Sequence, residues 1–226
     1  GLTNSLNIGN ANIKGKVRTG AFGLPAVGSQ GTVGSSAWVD GGNTGIQPGW
    51  FADDFNAEFP DVLPPFNGGA NTPVGKKISG TNYTYVLGTE NYQLSSLSLK
   101  TDDTVLITGH AVLYVTGNVN MSGSSQIRIA PGASLKLFVG GASANLAQVN
   151  ISGHAKDFSY YGLPTNTSLN WSGNSEFLGT IYAPSASFSM GGGGNNNYDF
   201  QGACIATSVT MNGHFSFHFD DSLARN

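Results

Sequence analysis

A short motif, apolar-x-apolar-polar-Gly, recurs along the second half of the chain and constrains the fold more than any other feature. Apolar residues alternating with a period of two predict strands, and the glycine after each strand predicts a turn. Repeats of roughly 20 residues that hold two or three short strands are typical of a parallel β-solenoid. The copies are Val119-Asn-Met-Ser-Gly123, Val149-Asn-Ile-Ser-Gly153, Leu169-Asn-Trp-Ser-Gly173, the looser Phe188-Ser-Met-Gly-Gly192, and Val209-Thr-Met-Asn-Gly213.

A second repeat supports the same architecture. Phe177-Leu-Gly-Thr-Ile-Tyr-Ala183 matches Phe200-Gln-Gly-Ala-Cys-Ile-Ala206, at a separation similar to that of the first motif. We therefore expect Phe177 and Phe200 to stack in the core on neighbouring coils. Trp171 occupies the apolar position that methionine takes in other copies of the first motif, so it is also predicted to lie in the core.

Composition agrees with a stack of coils. Charged residues make up only 10% of the chain, against about 25% in an average protein. Stacked coils would place like charges about 4.8 Å apart, and small polar residues avoid that repulsion. The net charge of −3 and the scattered basic residues argue against a nucleic-acid partner. The chain also contains no apolar run near the roughly 20 residues of a transmembrane helix.

The middle of the chain departs from the repeat. Phe51, Phe55 and Phe59 are spaced at i, i+4 and i+8, with Pro48 before them and Pro60 after them. This pattern predicts a short accessory α-helix near residues 48–59, followed by an irregular loop. The sequence as a whole predicts an all-β fold, a right-handed parallel β-helix. We expect a single domain over residues 1–226 with a helix-and-loop insertion at about 45–80.

Several longer segments resemble an uncharacterised bacterial domain-of-unknown-function family, often attached to pilin-like or pilus-assembly-type exported proteins. The resemblance spans nearly the whole chain. It implies a right-handed β-helix on an exported or cell-surface protein, and it implies no catalytic residues. The segments are Gly45-Ile-Gln-Pro-Gly-Trp50, Phe59-Pro-Asp-Val62, Leu113-Tyr-Val-Thr-Gly-Asn118, Pro131-Gly-Ala-Ser-Leu135, Tyr160-Tyr-Gly-Leu-Pro164, Gly179-Thr-Ile-Tyr-Ala-Pro184 and Met211-Asn-Gly-His214.

An acid-Phe dipeptide that recurs about once per coil could carry chemistry. Its acids are Asp157, Glu176 and Asp199. If the phenylalanines point inward, the acids form an outward ladder with separations of about 4.8 or 9.6 Å. Such separations overlap those of glycosidase carboxylate pairs and would suit Ca²⁺. Solvated acids, staggered by insertions in the coils, are the simpler interpretation, and no cofactor is expected.

Outward aromatic rings are the other candidate. The adjacent pair Tyr160-Tyr161, then Trp171 and then Tyr182 fall on successive coils. The rings of Tyr160, Tyr161 and Tyr182 could stack on sugar rings. We therefore expect a non-enzymatic extracellular or cell-surface module of a bacterium, structural or adhesive, with a pilus as one candidate location. Its expected partners are extracellular polysaccharide or other surface proteins.

Two alternatives stay open at this point. One is a polysaccharide-active lyase or glycoside hydrolase that uses the three acids. The other is an ice-binding solenoid, which would need a flat and regular threonine array. The chain has no repeated Thr-x-Thr pattern, so the sequence favours the enzyme over the ice-binding protein as the alternative function.

Overall fold

The computed structural model describes residues 3–150, 153–172, 176–191, 198–212, 215–220 and 223. The structure is nearly all β, with 54% strand and 4% helix, and it forms a β-solenoid of about nine turns. Among the described strands only one pairing is antiparallel, that of Val74–Ile78 with Thr81–Leu87. The prediction of an all-β solenoid built from parallel strands is therefore confirmed.

The N-terminal third contains short strands and one short helix. Helix α1 (Ser36–Asp40) begins after Ser35, whose hydroxyl accepts a hydrogen bond from the Trp38 backbone N–H at 3.2 Å. The strands are β1 (Thr3–Gly9), β2 (Asn12–Lys14), β3 (Val17–Arg18), β4 (Leu24–Val27), β5 (Thr32–Gly34), β6 (Gly45–Ile46) and β7 (Phe51–Ala52).

The remainder of the chain forms regular coils, with one 3₁₀ turn at Ala155–Asp157. Its two longest strands, Phe177–Gly191 and Tyr198–Asn212, each continue through a bend. The strands are β8 (Val74–Ile78), β9 (Thr81–Leu87), β10 (Asn91–Leu94), β11 (Leu97–Leu99), β12 (Thr104–Ile107), β13 (His110–Val115), β14 (Val119–Met121), β15 (Gln126–Ile129), β16 (Ser134–Val139), β17 (Ser143–Leu146), β18 (Gln148–Val149), β19 (Phe158–Gly162), β20 (Ser168–Trp171), β21 (Phe177–Gly191), β22 (Tyr198–Asn212) and β23 (Phe215–Phe219).

Three stacks of strands form the walls of the solenoid. The first wall contains β10, β13, β16, β19 and the first halves of β21 and β22. A second wall contains β11, β14, β17, β20, the second halves of β21 and β22, and β1. A third contains β9, β12, β15 and β18, with β8 on its outer edge.

The order of coils in space differs from their order in the sequence. Strand β1 pairs with β22, placing Asn7 opposite Thr210, and β2 pairs with β23, placing Asn12 opposite Ser216. The N-terminal strands therefore extend the C-terminal end of the stack. The first regular coil at the opposite end begins only with β9.

Aromatic rings stack through the core along the solenoid axis. Phe177 and Phe200 pair in register with ring centroids 4.7 Å apart, and Phe217 continues the stack 4.5 Å from Phe200. Both Phe177 and Phe200 have no exposed surface, and Trp171 is 1% exposed. The Trp171 indole N–H donates to the Ala147 carbonyl at 2.8 Å. The predicted core positions of Phe177, Phe200 and Trp171 are confirmed.

The predicted helix near residues 48–59 is wrong. Pro48 and Gly49 instead occupy a tight turn, closed by a hydrogen bond from the Trp50 N–H to the Gln47 carbonyl at 3.0 Å. The backbone that follows pairs with β3 as strand β7. An i, i+4 spacing is even, so it also places side chains on one side of an extended chain. Pairing with the open edge of β3 selects the extended alternative, and the short helix of this region lies earlier, at Ser36–Asp40.

Residues 53–73, which we name the strap, run along the outside of the first wall. Near one end the Phe55 N–H donates to the Thr19 carbonyl at 3.0 Å, and at the other the Asn71 N–H donates to the Asn91 carbonyl at 2.8 Å. Between them, Phe59 packs edge-on against Tyr182 and Phe66 packs edge-on against Tyr114. The predicted helix-and-loop insertion is thus an extended segment that spans several coils.

Candidate functional site: the polar face

Two ranks of short polar side chains cover the outside of the second wall, and we name this surface the polar face. The long rank crosses seven paired strands, and the short rank crosses four. All of these side chains are exposed or half-exposed. The long rank is Ser98, Asn120, Asn145, Asn170, Ser189, Thr210 and Asn7. The short rank is Ser143, Ser168, Ser187 and Ser208.

The first sequence motif builds this surface. Four of its five copies fall in one register column, because Val119, Leu169, Phe188 and Val209 lie on paired strands of the second wall. The apolar positions point inward, and the x position between them points outward. The copy at Val149 lies instead on β18 in the third wall. The segment Ala144-Asn-Leu146 takes its place in the second wall.

The distances between side chains in the two ranks are set by the strand spacing across the sheet and by the rise per residue along each strand. Neighbouring strands lie about 4.8 Å apart, so the six intervals of the long rank span about 29 Å. The two ranks are two residues apart along each strand, which is about 6.6 Å. The second wall keeps its pairing without a register shift from β11 to β20. The result is a regular array of hydroxyl and amide groups, aligned from coil to coil.

Hydrogen bonds within the array hold several side chains in place. The Asn170 amide donates to the Asn145 side-chain oxygen at 3.0 Å and lies 3.4 Å from the Ser168 hydroxyl. At the edge of the short rank, the Asn118 side-chain oxygen accepts from the Ser143 backbone N–H at 3.1 Å. Because the side chains of Asn145, Ser168 and Asn170 are already held in this way, a partner would not have to immobilise these three on binding.

The polar face is uncharged and its chemistry is limited to hydrogen bonding. Its eleven members, all in the described part of the chain, are serine, asparagine or threonine. Each can both donate and accept hydrogen bonds, and none titrates near neutral pH. A serine nucleophile would require a neighbouring base, and neither rank contains one. The arrangement is suited to recognition of a polar, uncharged surface.

The three predicted acids come together only in part. Pairing of Phe177 with Phe200 places Glu176 and Asp199, the residues directly before them, side by side on adjacent coils. The neighbouring pair of coils has a different register, in which Ser159 lies opposite Thr180. In that register Asp157 falls opposite Leu178, two positions beyond Glu176. Asp157 and Glu176 are 19 residues apart in the sequence (176 − 157), two fewer than the offset of 21 between Ser159 and Thr180 (180 − 159), so these two acids do not lie opposite each other.

The partners of the acids also differ from one another. One carboxylate oxygen of Asp157 accepts from the His154 backbone N–H at 2.9 Å and so caps the 3₁₀ turn. Asp199 lies 3.4 Å from the His218 ring nitrogen, and both of these side chains are about one-third exposed. Glu176 is exposed. The described residues hold no group of three His, Cys, Asp or Glu side chains that could bind a metal ion.

The three predicted tyrosines lie in three different environments. Tyr160 has no exposed surface, so its prediction as a binding residue is wrong. Adjacent residues of a strand point to opposite sides, and Tyr160 points inward while Tyr161 points outward. The Tyr160 hydroxyl donates to the Asn166 side-chain oxygen at 2.7 Å, and burial raises the pKa of Tyr160 well above its usual range.

The outward rings of the first wall form one column of Tyr114, Phe138, Tyr161 and Tyr182. Phe138 and Tyr161 stack face to face with centroids 4.6 Å apart. The Tyr182 hydroxyl donates to the Pro60 carbonyl of the strap at 2.8 Å. The rings of Phe138 and Tyr161 thus cover each other, and the strap engages Tyr182, so the predicted sugar-stacking surface gains no support from their geometry.

Sequence reasoning missed the polar face although its signal was present. The x position of the first motif is Asn120, Asn170, Ser189 or Thr210 in the copies of the second wall. Small polar residues at one outward position of every repeat predict a ladder once the coils are known to be in register. The remaining members, such as Asn145, lie in coils that lack the motif and could be placed only by the structure.

Comparisons with known proteins identify a family but no function. No curated protein and no solved structure matches the chain. In the described residues, no helix is long and apolar enough to span a bilayer. The DUF7305 family, a domain of unknown function, matches residues 68–226, which include every regular coil and most of both ranks of the polar face. The chain therefore belongs to the DUF7305 family.

Proposed function

We propose that the protein is a non-enzymatic adhesive module that binds neutral, hydroxyl-rich polymers through the polar face. One observation carries this proposal, namely the register of two uncharged ranks across up to seven coils. A polysaccharide presents hydroxyl groups at regular intervals, and each can donate and accept hydrogen bonds. Serine hydroxyls and asparagine amides in a matching array provide the complementary groups without the desolvation cost of charge.

Location at a bacterial cell surface, with a pilus as one candidate structure, is part of the same proposal. The resemblance of segments such as Gly179-Thr-Ile-Tyr-Ala-Pro184 to exported pilin-associated domains supports it. An elongated solenoid also suits a spacer that presents one long face to its surroundings. Extracellular polysaccharide is the expected partner, and other surface proteins are the alternative.

A polysaccharide-cleaving enzyme is the second candidate, and one observation favours it. Glu176 and Asp199 precede residues that pair on adjacent strands. The strand spacing of about 4.8 Å puts their carboxylates at a separation near the roughly 5–5.5 Å of retaining glycosidases. A screen for newly formed reducing sugars separates the candidates. Cleavage by the wild type that is lost in both Glu176→Gln and Asp199→Asn would favour the enzyme over the adhesive module.

The proposed function is tested by co-sedimentation with insoluble neutral polysaccharides. The double variant Asn120→Lys/Ser187→Lys adds one positive charge to each rank, on coils that are not adjacent. Unmatched, desolvated charges should weaken binding at least about tenfold. Gln93→Lys, at an exposed position on the first wall, adds a single lysine outside both ranks and should bind like the wild type. Equal binding by both variants would exclude the polar face as the binding surface.

A further inference from the structure

We infer that the polar face binds the flat surface of a packed, crystalline neutral polysaccharide rather than a single soluble chain. This inference rests on the proposed function and specifies its ligand. Three features of the described residues support it: the shape of the face, the position of the aromatic rings, and the number of contacts that the two ranks can make together.

The two ranks are open to a broad partner that can approach both of them together. Its side chains are all short, and the strands that carry the long rank are paired one to the next. A soluble chain is usually enclosed by a cleft that buries most of the ligand. Two described cavities, one of about 270 Å³ beside His154 and Asp157 and a smaller one beside Val17 and Trp50, involve no member of either rank. Neither cavity therefore gives the polar face a cleft that could enclose a single chain.

The aromatic rings point to the same conclusion. A single sugar chain gains affinity from rings that present an open face to each sugar. On the second wall the large side chains point inward, and Trp171 and Phe188 are each 1% exposed. The column of outward rings in which Phe138 stacks on Tyr161 and the strap contacts Tyr182 belongs to the first wall. The polar face therefore offers hydrogen bonds but no ring on which one isolated chain could stack.

The number of simultaneous contacts decides between the two forms of ligand. A hydrogen bond exchanged with water contributes only about 0.5–1.5 kcal/mol. One chain that lies along a rank meets at most the seven members of the long rank. A packed surface meets both ranks at once, and it is already ordered, so less conformational entropy is lost on binding. Linked contacts of this kind raise avidity by about 10²–10⁴.

Binding of the full chain to microcrystalline cellulose and to crystalline chitin tests the inference, with the soluble hexamers of the same sugars as the second arm. We expect binding to at least one solid, at least about a hundredfold tighter per sugar than to its hexamer. Asn120→Lys/Ser187→Lys should lose binding to the solid, whereas Gln93→Lys should retain it.

Each other outcome is decisive. Equal affinity for hexamer and solid would overturn this inference and leave the proposed adhesive function intact. Binding to neither solid nor hexamer would overturn both. A third arm measures partition into slowly grown ice, which is another flat lattice of hydrogen-bonding oxygens. Partition into ice without binding to either solid would also overturn both, since the ligand would then be a water lattice and not a polysaccharide.

Discussion

Replacing Phe200 by alanine removes the middle ring of a three-ring stack in the core. Its centroid lies 4.7 Å from that of Phe177 and 4.5 Å from that of Phe217, with both pairs within 10° of parallel. Phe200 has no exposed surface. Truncation of such a residue costs about 3–5 kcal/mol in free energy of unfolding. The loss of two stacked contacts, each about 0.5–1.5 kcal/mol, places the expected cost at the upper end of that range.

Urea denaturation followed by circular dichroism measures this cost. In a thermal melt of a chain of this length, a loss of about 3–5 kcal/mol corresponds to a fall in Tm of roughly 6–20 °C. Phe219→Ala is the control, because Phe219 is 57% exposed and belongs to the next coil; it should change stability by no more than about 0.5 kcal/mol. If Phe200→Ala does not fold, Phe200→Leu should still unfold reversibly with a smaller loss of about 1–2 kcal/mol. A cost below about 1 kcal/mol for Phe200→Ala would refute the inward stack.

Three further predictions test the packing of single residues. Gly202→Ala should prevent folding or cost more than about 3 kcal/mol, because its new Cβ would overlap the carbonyl oxygen of the glycine paired with it. Gly132→Ala, which meets no neighbour within 4 Å, should cost only the about 1–2 kcal/mol of a positive φ; equal losses in thermal melts would contradict the close approach. Tyr160→Phe should lose about 1–3 kcal/mol, since it leaves a buried amide oxygen without its donor, and Tyr161→Phe should lose less than about 0.5 kcal/mol. The Cys204 thiol, whose pKa burial raises to about 12, should react with iodoacetamide at pH 8 at least about a hundredfold more slowly in the folded protein than in urea; similar rates would refute the raised pKa.

The solenoid could be predicted from the sequence because the signal is local and repeated. Each copy of the motif, such as Leu169-Asn-Trp-Ser-Gly173, carries its own strand and turn pattern. The helix near residues 48–59 could not be excluded, because the even spacing of its phenylalanines fits both a helix and an extended chain. Only the open edge of β3, which is remote in sequence, decides between them.

Prediction of the candidate site was limited by register. Glu176 and Asp199 are aligned because the phenylalanines that follow them pair with each other, whereas Asp157 precedes a strand whose register is offset from theirs. Coil lengths vary with turn insertions, so the alignment of side chains on neighbouring coils cannot be read from spacing alone. The inward position of Tyr160 was within reach, because two adjacent tyrosines on one strand cannot both point outward.

The placement of the N-terminal strands on the C-terminal end of the stack has a consequence for how the chain folds. Pairing of neighbouring coils in the regular part brings together residues that are close in sequence, such as Phe177 and Phe200, and so closes only a short loop of chain. Asn7 and Thr210 instead stand near opposite ends of the chain. Closing a loop about nine times as long costs about 2 kcal/mol more in chain entropy, and contacts of such high sequence separation form late. The N-terminal strands should therefore pair only after the last regular coil has formed. Local opening of the native solenoid should begin at that same end.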